Sequence, residues 1–176
     1  MDSWGSFING YLVNNVHGDT TICGAVDAAA LVGADGTVWA ATHGFELKTS
    51  SKIHVGKEDG TTEEIHIDER AHLLDAIQHK GDVTKMKRGG VHFNNKKFLV
   101  TGSNEGEGYY TQYFKSDNGG AAVTLTGAGN LIIATWNAEK DASVTKDGKT
   151  KQTKQSVGFC NNAVDDLSKV LVQSGL

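Results

Sequence analysis

The sequence has no proline and only two cysteines among its 176 residues. Without proline there is no stiff, extended linker of the kind that separates domains, so residues 1–176 are expected to form one domain. Cys23 and Cys160 stand far apart and make no CxxC pattern; they are expected as reduced thiols of a cytoplasmic protein. Long hydrophobic runs are missing too. No stretch approaches the roughly 20 apolar residues that a membrane-crossing helix needs. The Met-Asp-Ser-Trp start lacks the basic and apolar regions of a secretion signal. Positive charge is not in excess either: 17 Lys and Arg face 21 Asp and Glu, a net charge of −4, which argues against a general nucleic-acid binder.

Catalytic signatures are equally absent. There are seven histidines, but no HExxH and no Cys/His set at zinc spacing. Neither a GxSxG elbow nor a Walker loop occurs. The segment Gly102–Gly108 reads as an acidic, flexible loop whose Glu105 and Glu107 would repel a phosphate. Glu63-Glu64 and Asp165-Asp166 are adjacent in sequence, so their side chains diverge and make no acid/base pair. No enzyme, metal or cofactor is expected.

The chain does have 22 glycines and 38% hydrophobic residues, the profile of a sheet with many turns. Leu31-Val-Gly-Ala-Asp-Gly-Thr-Val-Trp-Ala-Ala41 reads as a hairpin, because Asp35-Gly36 between two apolar runs supplies the positive φ of a tight turn. Trp4, Phe7, Ile8, Tyr11 and Leu12 fall on one face of a first helix, capped by Asp2 or Ser3. Residues 14–24 read as loop. Residues 46–66 read as a projecting β-hairpin arm around the polar turn Lys57–Thr62. Asp68 is the expected N-cap of a helix ending near Gly81. Strands follow at Val91–Phe93, Lys96–Val100, Tyr109–Lys115, Ala121–Leu125 and Leu131–Trp136, joined by short turns that imply an antiparallel meander. Residues 137–155 are lysine-rich and read as a mobile loop. A last helix over Ser156–Val172 carries Val157, Cys160, Val164, Leu167 and Leu171 as an apolar stripe, flanked by Ala163 and Val170. The fold class is α+β: a central antiparallel β-sheet meander with the N- and C-terminal helices packed together on one face.

Three aromatics then call for a role. Trp4 and Phe7 lie near the N-terminus and Trp39 on the central hairpin. Flat rings set in a groove suit a polyproline II segment, whose ridges slot between them and whose preformed backbone loses little entropy on binding. An indole N–H can donate to the carbonyls that such a ligand leaves free. The same α+β frame would also suit a small-molecule-sensing or scaffold domain, which requires a sizeable internal pocket behind Trp39.

Taken in order, several segments resemble the profilin family. They are Ser3-Trp4-x-x-Phe7-Ile8 with Leu12, Leu31–Ala40, Gly90-Val-His-Phe-Asn-Asn-Lys-Lys-Phe-Leu-Val100, Asn118-Gly-Gly120, Gly129–Trp136, and Cys160-Asn-x-x-Val164-x-x-Leu167 with Gly175-Leu176. The 46–66 arm and the 137–155 segment are longer than in animal or plant members. They resemble the enlarged profilins of single-celled parasites, which carry an extra hairpin. The resemblance implies a non-enzymatic, actin-monomer-binding regulator of actin polymerisation in the cytoplasm and cytoskeleton. Its implied partners are monomeric actin, proline-rich proteins and a phosphoinositide membrane surface. Carried over by position, the proline-rich ligand would meet Trp4, Phe7 and Trp39. The family's aromatic or histidine on the last helix falls near Asp166 and Val170, so this groove is expected to bind more weakly. Phe7 also lacks the hydroxyl of the family's usual tyrosine. The actin face would be formed by Lys97, Lys115, Gln155 and Asn162, with Lys96 and Arg88 as neighbours. Phosphoinositide contact would draw on Lys80, Lys85, Lys87, Arg88, Lys96 and Lys97.

Overall fold

Ala28–Val32 is apolar at every position, and as strand β3 it is buried along its whole length. Such a strand needs cover on both faces of its sheet, and the computed structural model, which describes residues 3–80 and 90–176, provides it. β3 pairs with β4 (Val38–Ala41) on one side and with β11 (Leu131–Asn137) on the other. From β11 the sheet continues as an antiparallel meander through β10 (Gly119–Thr126), β9 (Tyr109–Ser116), β8 (Lys96–Gly106) and β7 (Val91–Phe93). The α+β class and the meander are therefore as the sequence indicates.

The two faces carry separate cores. On one, Leu12, Leu31, Ala122, Ile132, Cys160, Val164, Leu167 and Leu171 pack together beneath the terminal helices α1 (Ser3–Phe7) and α3 (Val157–Gln173). On the other, Leu73 and Ile77 of α2 (Glu69–Gln78) pack on Phe93, Phe98 and Phe114. Asp68 caps α2 by accepting from Ala71 N, and Ser156 caps α3 by accepting from Phe159 N. Cys160 is buried and its thiol is pushed up to about 12 by desolvation, whereas Cys23 is exposed. Among the described residues no helix is long and apolar enough to cross a membrane.

Five expectations need correction. The first helix does not run uniformly: after Phe7 it widens into a π-helical stretch, Ile8–Val13, closed by Asn14 N bonding Asn9 O. The wider turn seats Ile8 and Leu12 in the core while Trp4, Phe7 and Tyr11 stay at its rim. Residues 14–24 are no loop but a hairpin of β1 (Asn14–His17) and β2 (Thr20–Cys23). The supposed mobile loop 137–155 is a second hairpin, β12 (Asp141–Lys146) and β13 (Lys149–Lys154), which adds to β2. Together these four strands form a second sheet in the order β1-β2-β12-β13, with β13 unpaired on its outer side among the described residues. The supposed acidic loop is the distal half of β8, with Glu105 paired across to Tyr110, so that only Glu107 and Gly108 turn. Val157, placed on the buried stripe of the last helix, is 53% exposed because it stands in the first turn, ahead of the core. The arm does form as expected, a separate ribbon of β5 (Ser51–Gly56) and β6 (Thr62–Ile67). The expected helix from Asp68 ends at Gln78 with His79 as its C-cap, a little ahead of Gly81, and the side chains of Asp2 and Ser3 lie outside what is described.

Candidate ligand surfaces

The hairpin that carries Trp39 turns through a three-residue loop, Ala34-Asp35-Gly36. Gly36 N bonds Gly33 O at 2.9 Å and Gly33 N bonds Thr37 O at 2.8 Å. Gly36 takes φ +89°, the left-handed position that such a loop reserves for glycine. Asp35 accepts from Thr37 N and from the Thr37 hydroxyl, each at 2.9 Å, and these bonds hold its carboxyl below the usual range. Gly33 is needed for space: a Cβ there would lie 2.8 Å from Trp39 Nε1. The indole can lie flat across the loop only because this position has no side chain.

α1 passes beside β4 and brings Trp4 onto Trp39. The rings stack with centroids 4.6 Å apart and planes 25° from parallel. Trp4 meets Phe7 at 5.5 Å, and Phe7 stacks on Tyr11 at 5.9 Å and 15°. The result is a continuous strip, Trp39–Trp4–Phe7–Tyr11, whose members are all half-buried, with the apolar core beneath. Neither indole N–H nor the Tyr11 hydroxyl bonds another described residue, and none is a sealed atom. The strip thus presents aromatic faces whose rim donors have no partner among the described residues. Tyr11 was assigned no ligand role from the sequence, although its i+4 spacing from Phe7 places the two rings together. It carries at the far end of the strip the hydroxyl that Phe7 lacks.

The helix α3 approaches the Tyr11 end of the strip. Asp166 Oδ2 accepts from Asn15 Nδ2 at 3.2 Å, and the same amide donates to Tyr11 O at 3.1 Å. That face of α3 is therefore turned toward Tyr11. Val170, one helical turn on from Asp166 and half-buried, belongs to the same face. Behind Trp39 lie the buried side chains of the first core, among them Leu12, Leu31 and Ala40.

A different surface gathers part of the expected cationic set. Lys96, Lys97, Leu99 and Lys115 line a groove of about 910 Å³ together with Asn95, Asp117, Asn118, Trp136 and Asn137. The register explains the gathering: Lys97 and Leu99 alternate onto one face of β8, and Leu99 pairs directly with Lys115 of β9. Leu99 is 46% exposed, a large apolar side chain left among ammonium groups. Asn162 is exposed on α3 but does not line this groove. Gln155 corrects its surface assignment. It is only 6% exposed, and its Oε1 accepts from Asn137 N at 2.9 Å, so it clamps the end of β11 to the start of α3. Lys80 is separate as well. It pairs with Glu105 at 3.1 Å, beside Tyr110 at the distal end of β8, some six residues from Leu99. Lys85, Lys87 and Arg88 lie outside the described residues. Among the described residues no group of three or more His, Cys, Asp or Glu could hold a metal ion.

Comparison with protein families matches the family model described as profilin over residues 2–176. Comparison with curated proteins gives no match.

Proposed function

The chain belongs to the profilin family, a non-enzymatic family of actin-binding regulators, and from that premise we propose that it binds monomeric actin, controls its polymerisation and takes proline-rich segments on the strip Trp39–Trp4–Phe7–Tyr11. The reading treats residues 1–176 as one working domain of the cytoplasm and cytoskeleton. The observation that carries the proline-rich part is the stacked, half-buried pair Trp4 and Trp39, whose N–H donors have no partner among the described residues. A polyproline II ligand offers ridges to such rings and free carbonyls to such donors. We assign Val170 of α3 to the second wall, where an aliphatic side chain stands in place of a ring, so the groove should bind more weakly than an all-aromatic one.

The actin contact is assigned to the groove of Lys96, Lys97 and Lys115 around Leu99 and Trp136, with Asn162 at its margin and Arg88 as a neighbour in sequence. An exposed leucine framed by lysines suits an acidic surface with an apolar centre. An interface of standard size, about 1,600 Å² in total, would cover this groove and its surroundings. The same lysines are the proposed contact for a phosphoinositide headgroup.

Tryptophan fluorescence during titration with polyproline tests the proposal. The wild type should shift its emission, and Trp39→Ala should lose the response while keeping its thermal midpoint. A wild type silent at millimolar proline residues, or a Trp39→Ala variant that unfolds, overturns the groove. Polyproline beads loaded with the protein should also retain added actin; beads that hold the protein but no actin overturn the actin half.

A further inference from the structure

We propose that Arg70 is a positioning residue for the aromatic strip and that through it α2 fixes the orientation of Trp39. The inference rests on reading the strip as a ligand groove, but its geometry stands independently of any ligand.

Arg70 stands in the first turn of α2, on the face of the sheet opposite the terminal helices. Its guanidinium nevertheless leaves that face and reaches the loop before Trp39. Nη2 donates to Ala34 O at 2.7 Å. Cζ and Nη1 lie 3.4 Å from the position a Cβ would take on Gly36, so the planar group is seated against the left-handed glycine of the loop. Its positive charge also helps to keep Asp35 ionised. Nε is buried and, among the described residues, has no partner. A buried donor left unmatched is a cost, and it is tolerated here in a side chain that holds the loop from beneath.

The contact passes directly to the indole. Ala34 and Asp35 adjoin Gly33, and the space above Gly33 is filled by Trp39 Nε1 on one side and Asp35 Oδ1 on the other. Moving the Ala34 carbonyl or the Asp35 carboxylate therefore moves the seat of the indole. Trp39 in turn sets Trp4 through their stack. At this same end α2 is tied, through the residue before Arg70, into the chain before the arm. Glu69 N donates to Lys48 O at 2.9 Å, and Glu69 Oε2 accepts from Lys48 N at 2.8 Å. The helix α2 follows the 46–66 arm, and Arg70 is its reach toward the strip. A ring already held in its binding orientation loses less freedom when the ligand arrives.

The experiment compares wild type, Arg70→Ala and Arg70→Lys by three readouts. These are the near-ultraviolet circular dichroism of the ligand-free protein, polyproline titration and thermal midpoint. Trp4→Phe identifies the part of the spectrum due to the indole pair. Arg70→Ala should reduce that signal and weaken polyproline binding by roughly five-fold with the fold retained. Arg70→Lys, which can still reach Ala34 O but has no planar group for Gly36, should fall between. If Arg70→Ala does not fold, Arg70→Lys decides alone. An unchanged indole signal with affinity within two-fold of wild type overturns the inference. An indole signal that follows Arg70 in a protein that never binds polyproline upholds the positioning and overturns the groove instead.

Discussion

Asp165 shows how single residues hold α3 to the sheet. It accepts from the Tyr109 hydroxyl at 2.5 Å and pairs with Lys169 one turn along at 2.9 Å. Burial alone would raise its carboxyl, but the hydroxyl and the ammonium outweigh it and leave the group below its usual range. Tyr109 is raised by its own burial and by the same carboxylate. Because Asp165 is depressed in the folded state, the unfolded chain takes up the proton first as pH falls. The stabilisation is complete above the ordinary carboxylate range and is lost as pH drops through the folded value. Asp165→Asn should therefore cost about 1 kcal/mol near neutral pH. In thermal melts, its gap to wild type should close below about pH 4; a gap independent of pH would show that the charge is not what matters. At this scale the sequence was informative where chemistry is local. Trp4 and Trp39 could be singled out because each sits at a fixed distance from a helix start or a turn. The Tyr109–Asp165 bond joins residues 56 apart and depends on where the tip of one hairpin lands, which no local pattern encodes.

Elements differ in how much of themselves they bury, and this decided which were legible. β3, α3 and the strands of the meander have a covered face, and their apolar periodicity shows it. β13 has none: Lys149, Thr150, Lys151, Gln152 and Lys154 are all exposed and only Thr153 is half-buried. A strand without a buried face has no alternation to read, so its polar sequence resembled a loop. β1 and β2 failed for the same reason, with Asn15 and Ile22 as their only buried residues. The π-helical stretch escaped because its residues keep the spacing of an α-helix, and only the Asn14 to Asn9 bond reveals the wider turn. The arm was legible as a hairpin, and it is the least supported element. Among the described residues its two strands pair only with each other, and Ile53 and Ile67 are its buried side chains. Two-stranded ribbons are marginal by themselves. In hydrogen exchange, amides of β5 and β6 should exchange at least roughly 100-fold faster than those of β10 and β11. Equal protection would mean that the arm is bonded into the body of the protein.

Across the whole molecule the register of β11 separates the two proposed surfaces. Leu131 pairs with Val32, next to the hairpin that carries Trp39, while Asn137 at the other end lines the lysine groove. Six strand steps span roughly 20 Å, far enough for a peptide and a globular partner to be held together without overlap. Reversing charge at Lys97 and Lys115 should slow association with actin roughly ten-fold at low salt. It should leave the polyproline titration unchanged. Unaltered association kinetics would move the actin surface elsewhere on the protein.

The free outer strand β13 has one more effect. An unsatisfied row of backbone amides and carbonyls is a template on which another copy could build. Lys149 and Lys151 project from that row, and among the described residues neither has an acidic partner. A second molecule aligning its own β13 in either direction would bring ammonium against ammonium. Self-association into fibrils through this edge is thereby discouraged.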